Sequence, residues 1–242
     1  MDGLHFLLPA TLIFAAYFVK GYSGFGPALI LIPTLSLVYT PHSAILLVTL
    51  FDLMAGMALL ISVWRSIRWK TTFSVLLAFF PGALLGARLM TGMPVEPLKK
   101  ILAIVLLLFI ALIWNKNAPP KQQTKMHTRL GQSLAAFGAG FTGGLTGISG
   151  PLLVVYFKLV HPKTFFRNQL IAIFAFGAAW RLFLYHSFHA ALHIPIWQLI
   201  IFALLMLSAL FFGSRFQLKT DEQTFNRSIA LILLIPCLTL LI

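Results

Sequence analysis

Apolar residues run along this chain in stretches that turn no polar face to water. They cover about 4–20, 28–39, 43–62, 72–91, 98–114, 130–143, 151–160, 164–186, 194–214 and 226–242. A helix on the surface of a soluble domain keeps a polar side opposite its apolar stripe. Here whole turns are apolar, and the runs of about 17–23 residues are long enough to cross some 30 Å of hydrocarbon as helices. The pattern predicts an all-α, polytopic membrane protein.

Two runs are too short for that. As helices, 28–39 would reach about 18 Å and 151–160 about 15 Å. Each follows a cluster of helix breakers: GYSGFGP at 21–27 precedes the first, and GLTGISGP at 144–151 precedes the second. Glycine and proline so placed end one helix and start another. Each cluster therefore reads as the tip of a helical hairpin whose second arm stops part-way through the membrane.

The same motif order occurs in both halves of the chain. Pro41 answers to Pro162, each just before a long apolar helix, and Gly86-Ala-Arg88 answers to Gly213-Ser-Arg215. The polar stretch NKNAPPKQQTKMHT at 115–128 lies between them. The expected organisation is a first repeat over 1–114, a cytoplasmic linker over 115–129 and a second repeat over 130–242. Each repeat is a glycine-tipped hairpin followed by three transmembrane helices.

Charge decides how the repeats face. If each hairpin returns to the face it entered, the repeats are inverted. Arg65, Arg68 and Lys70, the linker cations Lys116, Lys121, Lys125 and Arg129, then Lys158, Lys163 and Arg167, and finally Arg215, Lys219 and Arg227 then share one face. Only Arg88, Lys99 and Lys100 lie on the other, while Lys20 and Arg181 stay within the membrane. If each hairpin instead crossed once, the repeats would be parallel and the basic loops would be shared almost evenly. Basic loops gather on the cytoplasmic side, so the charges favour inverted repeats with both termini outside.

Composition agrees with this picture. The 242 residues are 60% hydrophobic and 10% charged, against roughly 25% charged in soluble domains, and the mean hydropathy is +0.94. The formal charge of +13 sits in short loops, which argues for a membrane topology rather than for nucleic-acid binding. The one cysteine, Cys237, allows no internal disulfide.

The hairpin tips are the candidate site. A half-helix beginning at Pro27 or Pro151 aims its free N–H groups and the positive end of its dipole at the membrane centre. Gly21, Gly24 and Gly26 in the first tip, and Gly144, Gly147 and Gly150 in the second, let those N–H groups approach a ligand. Ser23, Thr146 and Ser149 add hydroxyls. Such a site suits a small anion, and broken helices in inverted repeats are a common architecture of secondary transporters. The plainer alternative is that the glycines let helices pack closely.

At GYSGFGPALILIPTL (21–35), GGLTGISGPLLVVY (143–156) and the two Gly-x-Arg helix ends, the chain resembles the TauE/SafE family of bacterial sulfite exporters and sulfonate permeases. The resemblance implies transport of a small organosulfur anion such as sulfite or a sulfonate, and a place in the bacterial inner membrane.

Individual polar residues carry alternatives. Lys20 reads as a contact to the substrate, as the ion-pair partner of Asp52, or as a cation snorkelling to the interface. Asp52 reads as a carrier of a coupling proton or as a static partner of Lys20. Asn168 and Gln169 either line the cavity or join helices. Arg88 and Arg215 read as snorkelling helix-end cations before anion funnels, and Arg181, toward the outer end of its helix, reads the same way. His186, His189 and His193 have a metal-like spacing but no carboxylate beside them, so neither metal nor other cofactor is expected. No Ser–His–Asp set or phosphate loop is present. The reading is a secondary transporter of a small anion working by alternating access, ahead of an anion channel and of an intramembrane enzyme or its accessory subunit.

Overall fold

A computed structural model of the chain describes residues 2–23, 26–114, 125–160 and 163–215. All the regular structure among them is helical. The helices are α1 (Asp2–Ser23), α2 (Ala28–Leu35), α3 (Pro41–Val63), α4 (Trp69–Gly92), α5 (Val95–Trp114), α6 (Lys125–Thr146), α7 (Gly150–Val160), α8 (Lys163–Ser187) and α9 (Ile196–Arg215). A 3₁₀ turn at Trp64–Ser66 separates α3 from α4. Pro41–Ser66, Trp69–Gly92, Asn168–Ser187 and Ile196–Arg215 are long and apolar enough to span a membrane.

The boundaries follow local chemistry. Pro27 caps α2 with its carbonyl, which accepts from the N–H groups of Ile30 and Leu31. Thr40 caps α3 through its hydroxyl, with Pro41 in the first helical position, where a missing N–H costs nothing. At the end of α6, Gly147 takes φ +76° and donates its N–H to the Gly143 carbonyl at 2.9 Å. A left-handed glycine closing a helix in this way satisfies a carbonyl that the helix leaves open.

Two boundaries differ from the sequence expectation. The second arm of the first hairpin is helical only to Leu35 and goes on as turns through Ser36–Tyr39. Helix α6 starts at Lys125, five residues inside the expected linker, where a polar Lys-Met-His-Thr-Arg turn extends an amphipathic arm. Residues 115–124 and the last expected helix, 226–242, lie outside the described residues.

Three helix pairs organise the packing: α4 with α6, α1 with α9, and α3 with α8. The first two run parallel. Gly82 faces Phe137 and Gly86 faces Phe141 across α4–α6, and Gly21 faces Leu210 across α1–α9 with Phe6 stacked on Trp197 and Phe202. Helices α3 and α8 run antiparallel, because Thr49 lies beside Tyr185, Gly56 beside Ala175 and Leu60 beside Ile171 and Ala172. Helix α7 folds back along α6, with Leu152 near Gly138 and Tyr156 near Gly131. Exchanging α1 with α6, α3 with α8 and α4 with α9 maps these pairs onto one another. The core is this packed centre, and large apolar side chains such as Ile61, Leu77 and Leu204 stay exposed on the outside, as lipid-facing positions require.

Candidate functional site

The second hairpin tip is built where α6 ends, α7 begins and α8 passes. Thr146 and Ser149 are buried there. The Thr146 hydroxyl donates to the Thr142 carbonyl and accepts from the Ile148 N–H, so it shapes the turn. Gly147 rests against Ile32 of α2 and Ile45 of α3, which sets the turn between α6 and α7 on α2. Gly150 opens α7, an 11-residue helix whose N-terminal end points into the tip.

Arg181 occupies this place. It is 1% exposed, and its Nη1 donates to the Ser149 hydroxyl at 3.0 Å. Its Nε is buried without a hydrogen-bond partner among the described residues. The sequence expectation of a snorkelling arginine is overturned: the side chain turns inward from α8 to the tip. What admits it is Gly143, whose missing side chain would lie 2.9 Å from Nη1. One turn further along α8, the Tyr185 hydroxyl donates to the Gly144 carbonyl at 2.8 Å and lies 3.3 Å from that of Gly143. It thereby satisfies the last carbonyls of α6.

Nearer the start of the chain, Lys20 of α1 is 6% exposed and pairs with Asp52 of α3 at 2.5 Å. Tyr17 donates to the same carboxylate oxygen at 3.3 Å, and its ring lies under the Lys20 ammonium. Thr49, one turn before Asp52, lies beside the Tyr185 hydroxyl. Lys20, Tyr17 and Asp52 form one polar group between α1 and α3, and Arg181, Ser149 and Tyr185 form another where α8 passes the end of α6. Lys20 and Arg181 are the buried cations among the described residues, and Asp52 is the acid paired with Lys20.

Gly21 and Gly144 have their α-carbons against neighbouring helix backbones. Gly26 has φ +26° and only Leu29 near it, while Gly24 and the Ser23 side chain lie outside the described residues. Gln169 is buried and accepts from the Thr72 hydroxyl at 2.7 Å, joining α8 to α4 with its amide nitrogen unpartnered. Twelve residues along α8 place it about 18 Å from Arg181, with half-buried Asn168 beside it. Arg88 and Arg215 are exposed, the latter 4.8 Å over the Phe211 ring. His186, His189 and His193 are exposed at the end of α8 and in the loop after it.

Sequence reasoning left Arg181 out because it weighed distance from the helix end. The signal was in the stripe Gly177, Ala178, Arg181, Leu184 and Tyr185, which recurs at helical spacing and marks one packed face of α8. A cation on a stripe of small and buried residues points inward.

Two cavities lie away from these residues. The larger, about 430 Å³, is lined by apolar residues of α3 and α8 with His186 at its edge.

The family model described as sulfite exporter TauE/SafE matches residues 10–240 of the chain. No curated protein and no solved structure matches it.

Proposed function

The chain belongs to the sulfite exporter TauE/SafE family, and we propose that it moves a small anion, foremost sulfite or a sulfonate, by alternating access around the second hairpin tip. Family membership makes it a membrane transporter; the anion site and the mechanism are our reading. One observation carries it. Arg181 is a fully buried cation at the N-terminal end of α7, its Nε without a partner among the described residues, while Asp52 pairs with Lys20. A buried charge left uncompensated is costly, and a helix N-terminus adds a second positive field at the same point. An oxyanion answers both, accepting from the guanidinium and from the first N–H groups of α7.

In this reading the two repeats have inverted topology, the hairpins are re-entrant, and both termini lie outside a bacterial inner membrane. The antiparallel run of α3 and α8 supports inversion. Parallel repeats would set these equivalent helices side by side in one direction, whereas an axis in the membrane plane reverses them. Lys20 stands in the first repeat where Gly143 stands in the second. The chain fills the vacant second place from α8, so each hairpin's first arm ends beside one buried cation.

Reconstituted protein tests the site through sulfite flux and its concentration dependence. Arg181→Gln should weaken apparent affinity about 10- to 100-fold, the loss of a hydrogen bond to a charged group. Arg181→Lys should recover part of it. Wild-type affinity in a folded Arg181→Gln protein would overturn the reading.

A further inference from the structure

We propose that the cavity where α3 turns into α4 binds the phosphate of an anionic glycerophospholipid, held by Arg65 with the Ser62 hydroxyl and the Trp64 indole beside it. The cavity measures about 390 Å³ and is lined by Ile61, Ser62, Trp64 and Arg65, a size within the range of about 300–1,000 Å³ for small-ligand sites. Two ring contacts join the end of α3 to the first turns of α4. Trp64 lies edge-on to Trp69 at 4.6 Å, and Trp69 lies 5.9 Å from Phe73. Arg68 and Lys70 flank Trp69, so three cations fall within 65–70 at this one end of the helices.

An arginine near a helix C-terminus needs no ligand, since it already complements the negative end of the dipole. Arg65 has more around it than that. Arg215 lies over the Phe211 ring, whereas Arg65 faces a cavity with a hydroxyl and an indole in its wall. Among the described residues Asp52 is held by Lys20 and Glu96 by Lys99, so neither carboxylate answers Arg65. A guanidinium presents a planar fork of donors that matches two phosphate oxygens. Tryptophan beside it suits the membrane–water boundary, with an apolar body and a polar N–H. Basic pockets against membrane helices hold lipid head groups by this chemistry.

The apolar surroundings select a lipid over a free ion. Ile61 is followed one turn along α3 by Met57, and Phe73 one turn along α4 by Leu77. All four side chains are exposed, and they offer a track for the acyl chains of a lipid whose phosphate sits at Arg65. The larger cavity supplies the comparison. It lies at the opposite end of the antiparallel α3–α8 pair, and Leu182, Phe183 and His186 line it. These stand 20, 21 and 24 residues after Pro162, as Ile61, Ser62 and Arg65 stand after Pro41. The matched place keeps an apolar wall but has no lysine or arginine in it. A negative head group therefore belongs at the Arg65 end.

The experiment follows the melting temperature of delipidated protein in detergent as phosphatidylglycerol is added, with phosphatidylcholine and inorganic phosphate as the other arms. Phosphatidylglycerol should raise it to a plateau, as a ligand of the folded state does, and the other two should leave it unchanged. Arg65→Gln should demand about 10- to 100-fold more phosphatidylglycerol for the same shift, the loss of a hydrogen bond to a charged group. Ser62→Phe keeps every charge but fills the cavity. It should weaken the response as well, and it decides the matter if Arg65→Gln fails to fold. Arg88→Gln, which removes an exposed cation outside the cavity, should respond as wild type does. Equal shifts with phosphatidylcholine overturn the charge selection, and equal shifts with inorganic phosphate overturn the lipid. A wild-type response in folded Arg65→Gln or Ser62→Phe overturns the site. So does a loss in Arg88→Gln as large as that in Arg65→Gln, which would trace the effect to net charge. The readout is lipid binding, so the outcome is independent of the anion site at Arg181.

Discussion

Gly86 and Gly144 face one another where α4 crosses α6, and a side chain added to Gly86 would lie 3.1 Å from the Gly144 carbonyl carbon. Gly213 and Gly21 repeat the contact where α9 crosses α1, at the same 3.1 Å, now from a side chain added to Gly21. The agreement extends further. Gly144 abuts the Ala83 carbonyl and the Ala87 N–H, and Gly21 abuts the Leu210 carbonyl and the Ser214 N–H. Gly86 meets the Phe141 carbonyl, as Gly213 meets that of Phe18. Helix α6 is therefore locked to α4, and α1 to α9. Without a hydrophobic effect between helices in lipid, backbone contact of this closeness is what holds them.

Substitution at these crossings should cost stability before it costs chemistry. Gly86→Ala and Gly144→Ala each place a methyl group against opposing backbone, which cannot swing aside. Each should lower stability by about 1–3 kcal/mol, the range for overpacking. Gly92→Ala, with nothing within 4 Å of the added carbon, should leave the melting temperature in detergent unchanged. Equal behaviour of all three would show that the crossings are looser than the structure has them.

Gly147 answers to a different constraint. Its φ of +76° lies in the left-handed region, where an L side chain costs about 1–2 kcal/mol, and an added methyl would meet Ile32 as well. Gly147→Ala should therefore displace the turn that joins α6 to α7. Sulfite flux is expected to fall steeply, with a smaller change in melting temperature than at Gly144. Full transport by Gly147→Ala would separate the tip from the substrate path. Adding Ile32→Val should restore part of the flux, since it removes the atom nearest the new methyl group.

Much of this was legible in the sequence because membrane helices leave little choice. Long apolar runs fixed α3, α4, α8 and α9 within a few residues, and the Gly-Pro clusters marked the breaks at Pro27 and Gly150. The spacing of Gly21 to Gly144 and of Gly86 to Gly213 was visible along the chain, although not that Gly86 meets Gly144 and Gly21 meets Gly213. Contacts between elements were less accessible. The Lys20–Asp52 pair was one of three readings of Lys20, since nothing along the chain says which helices are neighbours. Arg181 was misplaced for a related reason: its height along α8 is visible in the sequence, whereas Gly143, which makes room for it, lies on another helix.

The Lys20–Asp52 pair has its own signature. Lys20→Ala leaves the Asp52 carboxylate without its partner in a largely buried site, and breaking one side of a buried pair costs about 3–5 kcal/mol. The melting temperature should fall sharply. Lys20→Ala combined with Asp52→Asn removes both charges and should recover most of that loss, while sulfite flux stays below wild type because the second cation is gone. A double variant no more stable than Lys20→Ala would mean that the two side chains act independently.

Orientation in the membrane is tested on intact cells. The 3₁₀ turn between α3 and α4 and the loop between α8 and α9 lie at opposite ends of the antiparallel α3–α8 pair. Ser66 is exposed in the first and Ala191 in the second. Basic residues gather near Ser66, at Arg65, Arg68 and Lys70, and are absent from the stretch between Arg181 and Arg215, so the first loop should be cytoplasmic. In a Cys237→Ser background, a cysteine at Ala191 should react with an impermeant maleimide added outside, and one at Ser66 should react only after the cells are opened. The same pair also tests inversion. Parallel repeats would carry α3 and α8 across in the same direction, which puts the end of α3 and the end of α8 on one face. Both cysteines would then label together, and inverted topology would be lost along with the placement of both termini outside.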